Sequence, residues 1–543
     1  MRSPIRRSLV LVTLVALLLG VLASTAPTAF AGDSHSLTNT RVRGIDVDRA
    51  TIPQLERAMD QDKLSSVDLV RFYLHRIKQL NPKLHAIIKV NPEALELARK
   101  ADWARHHGDD RALLGIPIIV KDNIDTTGMP TTAGSYALKG SSPHDAFIVK
   151  RLKAAGALIL AKANLSEWAN FRSAPSSSGW SGIGGQTNNP NVLDRNPCGS
   201  SSGSGVAAAA DLAVAAVGTE TDGSVVCPSG ANGVVGIKPT LGLLSRSGII
   251  PISAEQDTAG PITRNVTDAA VLLGAMTGID SKDAATKDQK GHATRNYTKY
   301  LSKHALEGAR IGVWREGTYD PKVSPEVDAI LNDTIASLKA QGATIIDNTR
   351  IPIEPAYAPE FTALLCEFKS DIASYLQTYT KAAYPKTLKD LIDFNNAHPN
   401  LEGPWNSEIF VQAQGTGGRG TAACDAARAL ATSTARKAID DTLAANHLDA
   451  IIAPTNGPAW KTSSDPTKGD LDGDFSKFVG SSSPSAIAGY GSITVPAGYV
   501  GHLPIGVAFI GGRWSEPDLI GFAYDFEQAT KVRVKPTFLA HQP

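Results

Sequence analysis

The chain alternates between the apolar spacing of helices and short apolar runs typical of buried strands. From Thr51, TIPQLERAMDQDKLSSVDLVRFYLHRIKQL has an apolar residue every three to four positions, which predicts helix up to Asn81-Pro82. Further helices are predicted at PEALELARKADWARHHG, which ends at Gly108, and at AFIVKRLKAAG. Buried strands are predicted at residues 114–120, 157–164, 309–314, 342–347 and 448–455. Strands that alternate with helices predict an α/β protein with a mostly parallel or mixed sheet.

Two consecutive segments depart from that alternation. Residues 173–205 are rich in Gly, Ser, Asn and Pro and are too polar for a core, so they are predicted to form loops. The run SGVAAAADLAVAAVG predicts a helix that continues into a strand. No repeat period of about 20–50 residues is visible, and neither is a linker. We therefore expect residues 44–543 to form a single large domain.

The first 31 residues have the pattern of a secretory signal peptide. Three arginines precede an apolar run over residues 9–23, and Ala29-Phe30-Ala31 offers small residues for cleavage. An uncleaved membrane anchor is the alternative, but the run is shorter than the ~20 residues that a spanning helix needs. We expect the mature protein to begin near Gly32 with a flexible leader over residues 32–43. The protein is then predicted to be secreted.

Composition places the chain among ordinary folded proteins. Hydrophobic residues make up 42% and charged residues 20% of it, unlike disordered chains. The formal net charge is +1, and removal of the three leader arginines makes it slightly negative. No Lys/Arg run stands out, so nothing predicts nucleic-acid binding. After signal cleavage no stretch predicts a membrane span, and the oligomeric state stays open.

Four cysteines remain in the mature chain. Cys366 and Cys424 lie on predicted helices outside any motif, and we predict that they form a disulfide, which export would permit. Cys198 and Cys227 lie inside Gly/Ser-rich segments, where they are interpreted as small packing residues.

Those Gly/Ser-rich segments are CGSSSGSG (198–205) and GTETDGSVVCP (218–228). Flexible loops are the ordinary interpretation of such clusters. Here the clusters adjoin an Ala-rich helix and an apolar run, where glycine lets the backbone approach a ligand closely. Successive main-chain N–H groups in such turns can also bind an oxyanion. The two segments are therefore candidates for a catalytic site.

A serine in these segments needs a base before it can act as a nucleophile. None of the 12 histidines lies beside them in sequence, but Lys121 ends the apolar strand GIPIIV and precedes Asp122 and Asn123. A lysine at the end of a buried strand either extends to solvent or is partly desolvated. Desolvation would lower its pKa towards neutrality and let the free amine act as a base. Spacing alone leaves both alternatives open.

Other catalytic motifs fail on their context. Residues 199–203 satisfy G-x-S-x-G, which would make Ser201 the nucleophile of an α/β-hydrolase elbow. That elbow needs a hydrophobic strand directly before it, whereas GQTNNPNVLDRNPCG is polar. The chain has no G-x-x-x-x-G-K-[ST] motif for phosphate, and His106-His107 lacks a third ligand at zinc spacing. Neither a metal nor another cofactor is predicted.

Several segments together resemble the amidase signature family, and within it the peptide amidases, which remove the C-terminal amide of peptides. The resemblance extends from about residue 45 to residue 530 and implies the family's fold, an α/β/α sandwich whose large mixed sheet is flanked by helices. The segments that carry it are GIPIIVKDNIDTTGMPTTAGS (115–135), PCGSSSGSG (197–205), GTETDGSVVCPSGANGVVGIKPTLGLLSRSGIIP (218–251) and DTAGPITRNVTDAA (257–270), with ANLSEWANFRS (163–173), APTNGPAW (453–460) and WSEPDLI (514–520) matching the peptide amidases more closely.

The resemblance also implies roles for particular residues. Lys121 matches the family's catalytic lysine, Ser200 its bridging serine after a cis peptide bond, and Ser224 the acylated nucleophile. The implied reaction converts a carboxamide into an acid and ammonia through an acyl-enzyme. The oxyanion would be bound by main-chain N–H groups of Thr221, Asp222, Gly223 and Ser224.

Departures from the family's usual motif concern the substrate more than the chemistry. Many members have Gly-Gly-Ser-[Ile/Val]-Arg at the nucleophile, whereas here Asp222 adds a carboxylate and Val226 replaces the arginine. A broader aryl or aliphatic amidase or esterase is an alternative, and a non-catalytic binding protein is another. A transamidosome component that acts on charged transfer RNA is disfavoured by export and by the lack of a basic surface. Three aromatic residues either line the pocket or pack in the core, with the core favoured, namely Trp168, Phe171 and Trp460.

Overall fold

The computed structural model describes residues 39–315, 324–463 and 480–542. Residues from Thr40 to Pro543 form one compact unit, and the preceding unit, Met1–Asn39, is described only at Asn39. The predicted signal peptide and most of the predicted leader therefore lie outside the described residues.

Among the described residues, eleven strands form one mixed sheet and four short strands form two small antiparallel pairs. The predicted strands are present as β4, β5, β11, β12 and β13 in the numbering that follows. The strands are β1 (Arg41–Val42), β2 (Ile45–Asp46), β3 (Ile87–Val90), β4 (Pro117–Lys121), β5 (Leu158–Ala163), β6 (Trp180–Ser181), β7 (Gly185–Gln186), β8 (Ala215–Glu220), β9 (Val235–Lys238), β10 (Thr258–Thr263), β11 (Arg310–Val313), β12 (Thr344–Ile346), β13 (Ala450–Pro454), β14 (Ser492–Val500) and β15 (Leu503–Ile510).

Helices flank this sheet. In the described ranges, no helix combines the length and the apolar character that crossing a bilayer requires. The helices are α1 (Ile52–Asp60), α2 (Ser66–Leu84), α3 (Ala94–His106), α4 (Phe147–Ala154), α5 (Ser202–Ala209), α6 (Val226–Asn232), α7 (Val266–Met276), α8 (Pro325–Ala340), α9 (Tyr357–Tyr379), α10 (Leu388–Ala397), α11 (Glu408–Gly415), α12 (Ala422–Asn446), α13 (Ser483–Ala488) and α14 (Glu516–Thr530).

The topology of the sheet brings three strand ends to one edge. The strand order is β12-β11-β13-β15-β14-β9-β10-β8-β4-β5-β3. Strand β4 is parallel to β8, so the two strands end at the same edge. Strand β10 is antiparallel to β8, with Thr258 opposite Glu220, so β10 begins at that edge. Lys121, the 218–224 segment and the residue before β10 are therefore neighbours, although they are distant in sequence.

The first predicted helix was wrong in its extent, because it forms two helices separated by residues 61–65. The side chain of Ser65 accepts a hydrogen bond from the Asp68 N–H at 3.0 Å, which begins a new helix instead of continuing the old one. Helix α2 then continues through Pro82 and ends only where His85 adopts a left-handed φ of 48°. The proline removes one N–H donor from the last turn, and packing of the apolar face maintains the helix around it.

Residues 173–205 form loops, as predicted, but the expectation that they lie outside the core was wrong. Nearly all of them are buried or half-buried. Asn189 Nδ2 donates a hydrogen bond to the Ala231 carbonyl at 2.9 Å, and Asn196 Nδ2 donates to the Ser178 carbonyl at 2.9 Å. Because side-chain amides supply partners to backbone groups that no sheet or helix satisfies, a polar segment can be buried here.

Candidate active site

Lys121 is the last residue of β4 and is fully buried. Its Nζ lies 2.8 Å from Ser200 Oγ, 2.9 Å from Thr219 Oγ1 and 3.2 Å from the Thr219 carbonyl oxygen. Burial lowers the pKa of Lys121 to about 7, although the negative charges of Asp257 and Glu220 act in the opposite direction. Of the two alternatives for this lysine, the structure has the desolvated amine.

Ser200 lies against Lys121 in the loop before α5, and its side chain is fully buried. The Gly199–Ser200 peptide bond is cis, as the resemblance implied. A Cβ at residue 199 would come within 2.3 Å of Ser166 Oγ, so this close approach requires glycine. The Ser200 carbonyl accepts a hydrogen bond from the Ser166 N–H at 3.0 Å. The loop thus holds Ser200 between the turn at residue 166 and the lysine amine.

Ser224 lies in the turn between β8 and α6 and is 8% exposed. Its neighbour Gly223 has a φ of 78°, a left-handed conformation that glycine adopts without steric cost. The Ser224 carbonyl accepts a hydrogen bond from the Ser201 N–H at 3.2 Å. This bond joins the turn that carries Ser224 to the loop that carries Ser200.

The turn around Ser224 offers backbone donors. Among the described residues, none accepts a hydrogen bond from the N–H of Asp222, Gly223 or Ser224. Three successive N–H groups of this kind form a site for an anionic oxygen. Of the residues predicted to bind the oxyanion, these three therefore have free donors.

The side chains of the turn point to structural partners. Thr221 Oγ1 donates a hydrogen bond to Asp257 at 2.6 Å, and the Thr221 carbonyl accepts one from Gln256 Nε2 at 3.0 Å. Asp222 Oδ1 accepts a hydrogen bond from Ser482 Oγ at 2.5 Å, and burial raises the pKa of Asp222. The extra carboxylate noted in the sequence is thus partnered by a serine hydroxyl.

Sequence reasoning assigned no role to Glu220, which fixes the start of α6. Glu220 Oε2 accepts hydrogen bonds from the N–H groups of Val225 at 2.7 Å and Val226 at 3.0 Å. These are two of the first N–H groups of the helix, so the carboxylate acts as a cap and favours one geometry of the turn before it. Burial raises the pKa of Glu220, and the positive charge of Lys238 lowers it in part.

Asp257, just before β10, was missed in the same way. Its carboxylate accepts hydrogen bonds from Thr221 Oγ1 and from the N–H groups of Ile252 at 2.8 Å and Ser253 at 3.0 Å. Burial raises the pKa of Asp257 to about 6. The residue begins the DTAGPITR motif, but a single sequence does not reveal that β10 pairs with β8 and brings this carboxylate towards Lys121.

A cavity of about 210 Å³ lies beside the lysine's partners. Asn123 lines it and donates a hydrogen bond from Nδ2 to Thr219 Oγ1 at 2.9 Å. Asp257 and Tyr375 line it as well. In the described ranges, no group of three or more His, Cys, Asp or Glu side chains is placed to hold a metal ion.

A second buried lysine, Lys162 on β5, has a different environment. Its Nζ donates hydrogen bonds to the Ile124 carbonyl at 2.6 Å and to Thr131 Oγ1 at 2.8 Å, and it lies 3.5 Å from Asp122 Oδ1. Since Lys162 is paired with a carboxylate and supports the loop after β4, its role is structural. Lys121 differs because a serine hydroxyl lies within hydrogen-bond distance of its amine.

Both pairs of cysteines form disulfides. The predicted disulfide between Cys366 and Cys424 is present and joins α9 to α12. The interpretation of Cys198 and Cys227 as packing residues was wrong, because they form a disulfide whose residues are 29 apart in sequence. Their spacing gave no sign of it, since the pairing depends on how the two Gly/Ser-rich segments fold against each other.

The three aromatic residues left open by the sequence all lie in the core. Trp168 is 2% exposed, Phe171 7% and Trp460 2%. Trp168 and Phe171 belong to a cluster formed largely by α9 to α11, and Trp460 packs against the Cys198–Cys227 disulfide.

A comparison with protein families decides the membership of the chain. The family model described as Amidase matches residues 68–520. The chain belongs to the amidase signature family. It is 40% identical over 508 residues to a probable amidase of Arabidopsis thaliana, across 91% of this chain and 92% of that relative. It is therefore a hydrolase that acts on the C–N bond of amides.

Solved structures confirm the predicted fold and the resemblance to peptide amidases. The peptide amidase of Stenotrophomonas maltophilia matches with a TM-score of 0.84 at 45% identity, covering 90% of this chain and 99% of that one. Within the amidase signature family the similarity also extends to one component of the glutamyl-tRNA(Gln) amidotransferase of Thermoanaerobacter pseudethanolicus. That relative is 35% identical over 496 residues, across 90% of this chain and 97% of its own length.

Proposed function

We propose that the protein is a secreted amidase that hydrolyses C-terminal amides of peptides through an acyl-enzyme on Ser224. The observation that carries this proposal is the 2.8 Å separation between Lys121 Nζ and Ser200 Oγ in a buried site where the pKa of the lysine is about 7. At neutral pH a large share of this amine is free to accept a proton, which an exposed lysine cannot do.

The first half of the reaction forms the acyl-enzyme. Lys121 accepts the proton of Ser200 Oγ while Ser200 takes the proton of Ser224 Oγ, and Ser224 Oγ bonds to the carbonyl carbon. The carbonyl oxygen becomes an oxyanion, which accepts hydrogen bonds from the free N–H groups of residues 222–224. Each such donor contributes about 3 kcal/mol to stabilisation of the transition state. When the C–N bond breaks, the relayed proton passes to the nitrogen, which leaves as ammonia.

The second half releases the acid. Water attacks the ester carbon of the acyl-enzyme and gives its proton to the same relay. The C–O bond to Ser224 Oγ breaks, and the proton returns through Ser200 to Ser224. The products are a carboxylic acid and the regenerated serine, so the cycle balances without an added metal or redox partner.

The proposed substrate rests on similarity to the peptide amidase of Stenotrophomonas maltophilia. Export is supported by the pattern of the first 31 residues and by the two disulfides, which persist in oxidising compartments. A broader aryl or aliphatic amidase or esterase is the second candidate, because the relay itself is indifferent to the leaving group.

The test is release of ammonia from a short peptide amide by the mature protein and its Ser224→Ala variant. We expect release by the wild type and none by the variant. Ser229→Ala is the matched control, because Ser229 is a buried serine on α6 whose Oγ only donates to the Val225 carbonyl. Ammonia release that survives in Ser224→Ala would refute the mechanism. Labelling of Ser224 by a fluorophosphonate without release from peptide amides would favour the aryl amide or ester alternative.

A further inference from the structure

The Cys198–Cys227 disulfide joins the two segments that carry the proposed reacting serines. Cys198 lies two residues before Ser200, and Cys227 lies three residues after Ser224. The two Cα atoms are 6.0 Å apart. A covalent bond therefore connects the loop of one serine to the helix that begins beside the other.

The surroundings of this disulfide leave it little freedom. Both residues are buried, at 6% and 7% exposure, in a small cluster with Ala231 and Trp460. The Cys198 N–H donates a hydrogen bond to Asn196 Oδ1 at 2.8 Å, and the Cys198 carbonyl accepts one from Ser202 Oγ at 2.5 Å. Motion of the disulfide would therefore be transmitted to the loop of Ser200.

The other direct links between the two segments include single hydrogen bonds. The Ser201 N–H donates to the Ser224 carbonyl at 3.2 Å, and Asn232 Nδ2 donates to the Pro197 carbonyl at 2.9 Å. Hydrogen bonds of this kind exchange with water and lengthen easily, whereas a disulfide does not. Proton transfer between two hydroxyl groups depends steeply on their separation, and a misplacement of about 1 Å costs about 100-fold in rate.

We propose that the Cys198–Cys227 disulfide is a positioning element for catalysis, which holds Ser200 and Ser224 in register for proton transfer. This inference rests on the proposed function. It predicts that the enzyme matures fully only after oxidation of this pair, so that folding in a reducing compartment yields a less active protein. The other disulfide, Cys366–Cys424, joins α9 to α12 with a similar Cα separation of 5.9 Å and serves as the matched control.

The experiment compares Cys198→Ala/Cys227→Ala with Cys366→Ala/Cys424→Ala, using ammonia release from a peptide amide and the rate of fluorophosphonate labelling. We expect the first variant to lose at least about tenfold in kcat and in labelling rate, with KM changed less than about twofold. The control variant should lower thermal stability and leave kcat within about twofold. Equal kcat values in the two variants would overturn the inference.

A second measurement guards against a variant that fails to fold. In Cys366→Ala/Cys424→Ala the only remaining pair is Cys198–Cys227, so reduction and reoxidation report on that pair alone. We expect kcat to fall as two thiols appear and to return as they disappear, whereas constant kcat through the cycle would overturn the inference. If the wild type neither releases ammonia nor is labelled, the proposed function itself fails and this inference falls with it.

Discussion

Lowering the pH should protonate Lys121 and stop the proposed relay. Burial holds the pKa of this lysine at about 7. A group with that pKa is free of its proton in about half of the molecules at pH 7, about a tenth at pH 6 and about a hundredth at pH 5. An exposed lysine would be free in only about one molecule in 2,500 at pH 7. Because only the free amine accepts a proton from Ser200, kcat/KM should fall about tenfold between pH 8 and pH 6.

The charges that face the amine modify the lower part of this profile. Asp257 and Glu220 both raise the pKa of Lys121 while they are ionised. Burial raises the pKa of Asp257 to about 6, so it gains a proton within the same range. A neutral Asp257 no longer holds the proton on Lys121, so kcat/KM should fall less than tenfold per pH unit below pH 6.

The assay is kcat/KM for ammonia release from a peptide amide between pH 5 and pH 9 at constant ionic strength. Protein returned from pH 5 to pH 8 must recover its activity, which excludes unfolding as the cause. The rate of fluorophosphonate labelling should follow the same profile, because it depends on the same relay. A flat profile down to pH 5, or a midpoint near the pKa of an ordinary carboxyl, would refute a lysine base.

The remaining predictions concern charge, stability and export. Asp257→Asn should shift the midpoint of the pH profile to lower pH, because it removes a charge that raises the pKa of Lys121; a midpoint that rises would contradict this. Loss of the Cys366–Cys424 disulfide, whose residues are 58 apart in sequence, should lower the free energy of unfolding by about 4 kcal/mol in urea titrations. A loss below about 1 kcal/mol would argue against the chain-entropy account. N-terminal sequencing of protein collected outside a secreting bacterium should begin near Gly32, and an intact Met1 would count against a cleaved signal.

Much of the fold could be predicted because short apolar runs in this chain have one plausible use. GIPIIV and ALILAKAN became adjacent parallel strands, as their β-rich composition indicated. The order of the strands could not be predicted, since β8 lies between β4 and β10 through contacts far apart in sequence. The same limit explains why Lys121 was recognised as a candidate while Asp257, which belongs to its electrostatic environment, was not.

The candidate site divides in a similar way. Motifs identified Lys121, Ser200 and Ser224, because each lies in a segment whose residues match a family pattern. Contacts between those segments could not be read from spacing, and the Cys198–Cys227 disulfide is the clearest case. The error about residues 173–205 has another cause: polarity predicts exposure only when the polar groups have no partners inside.

The buried asparagine-rich segment has a consequence for protein engineering. A stretch of Gly, Ser, Asn and Pro is usually chosen as a site for inserting a tag or a second domain, because such stretches often lie on the surface. In this chain an insertion near Asn189 or Asn196 would remove amides that satisfy the interior, so it would be poorly tolerated. The helix end at Gly108, where a side chain would meet no atom within 4 Å, is a better place for a fusion.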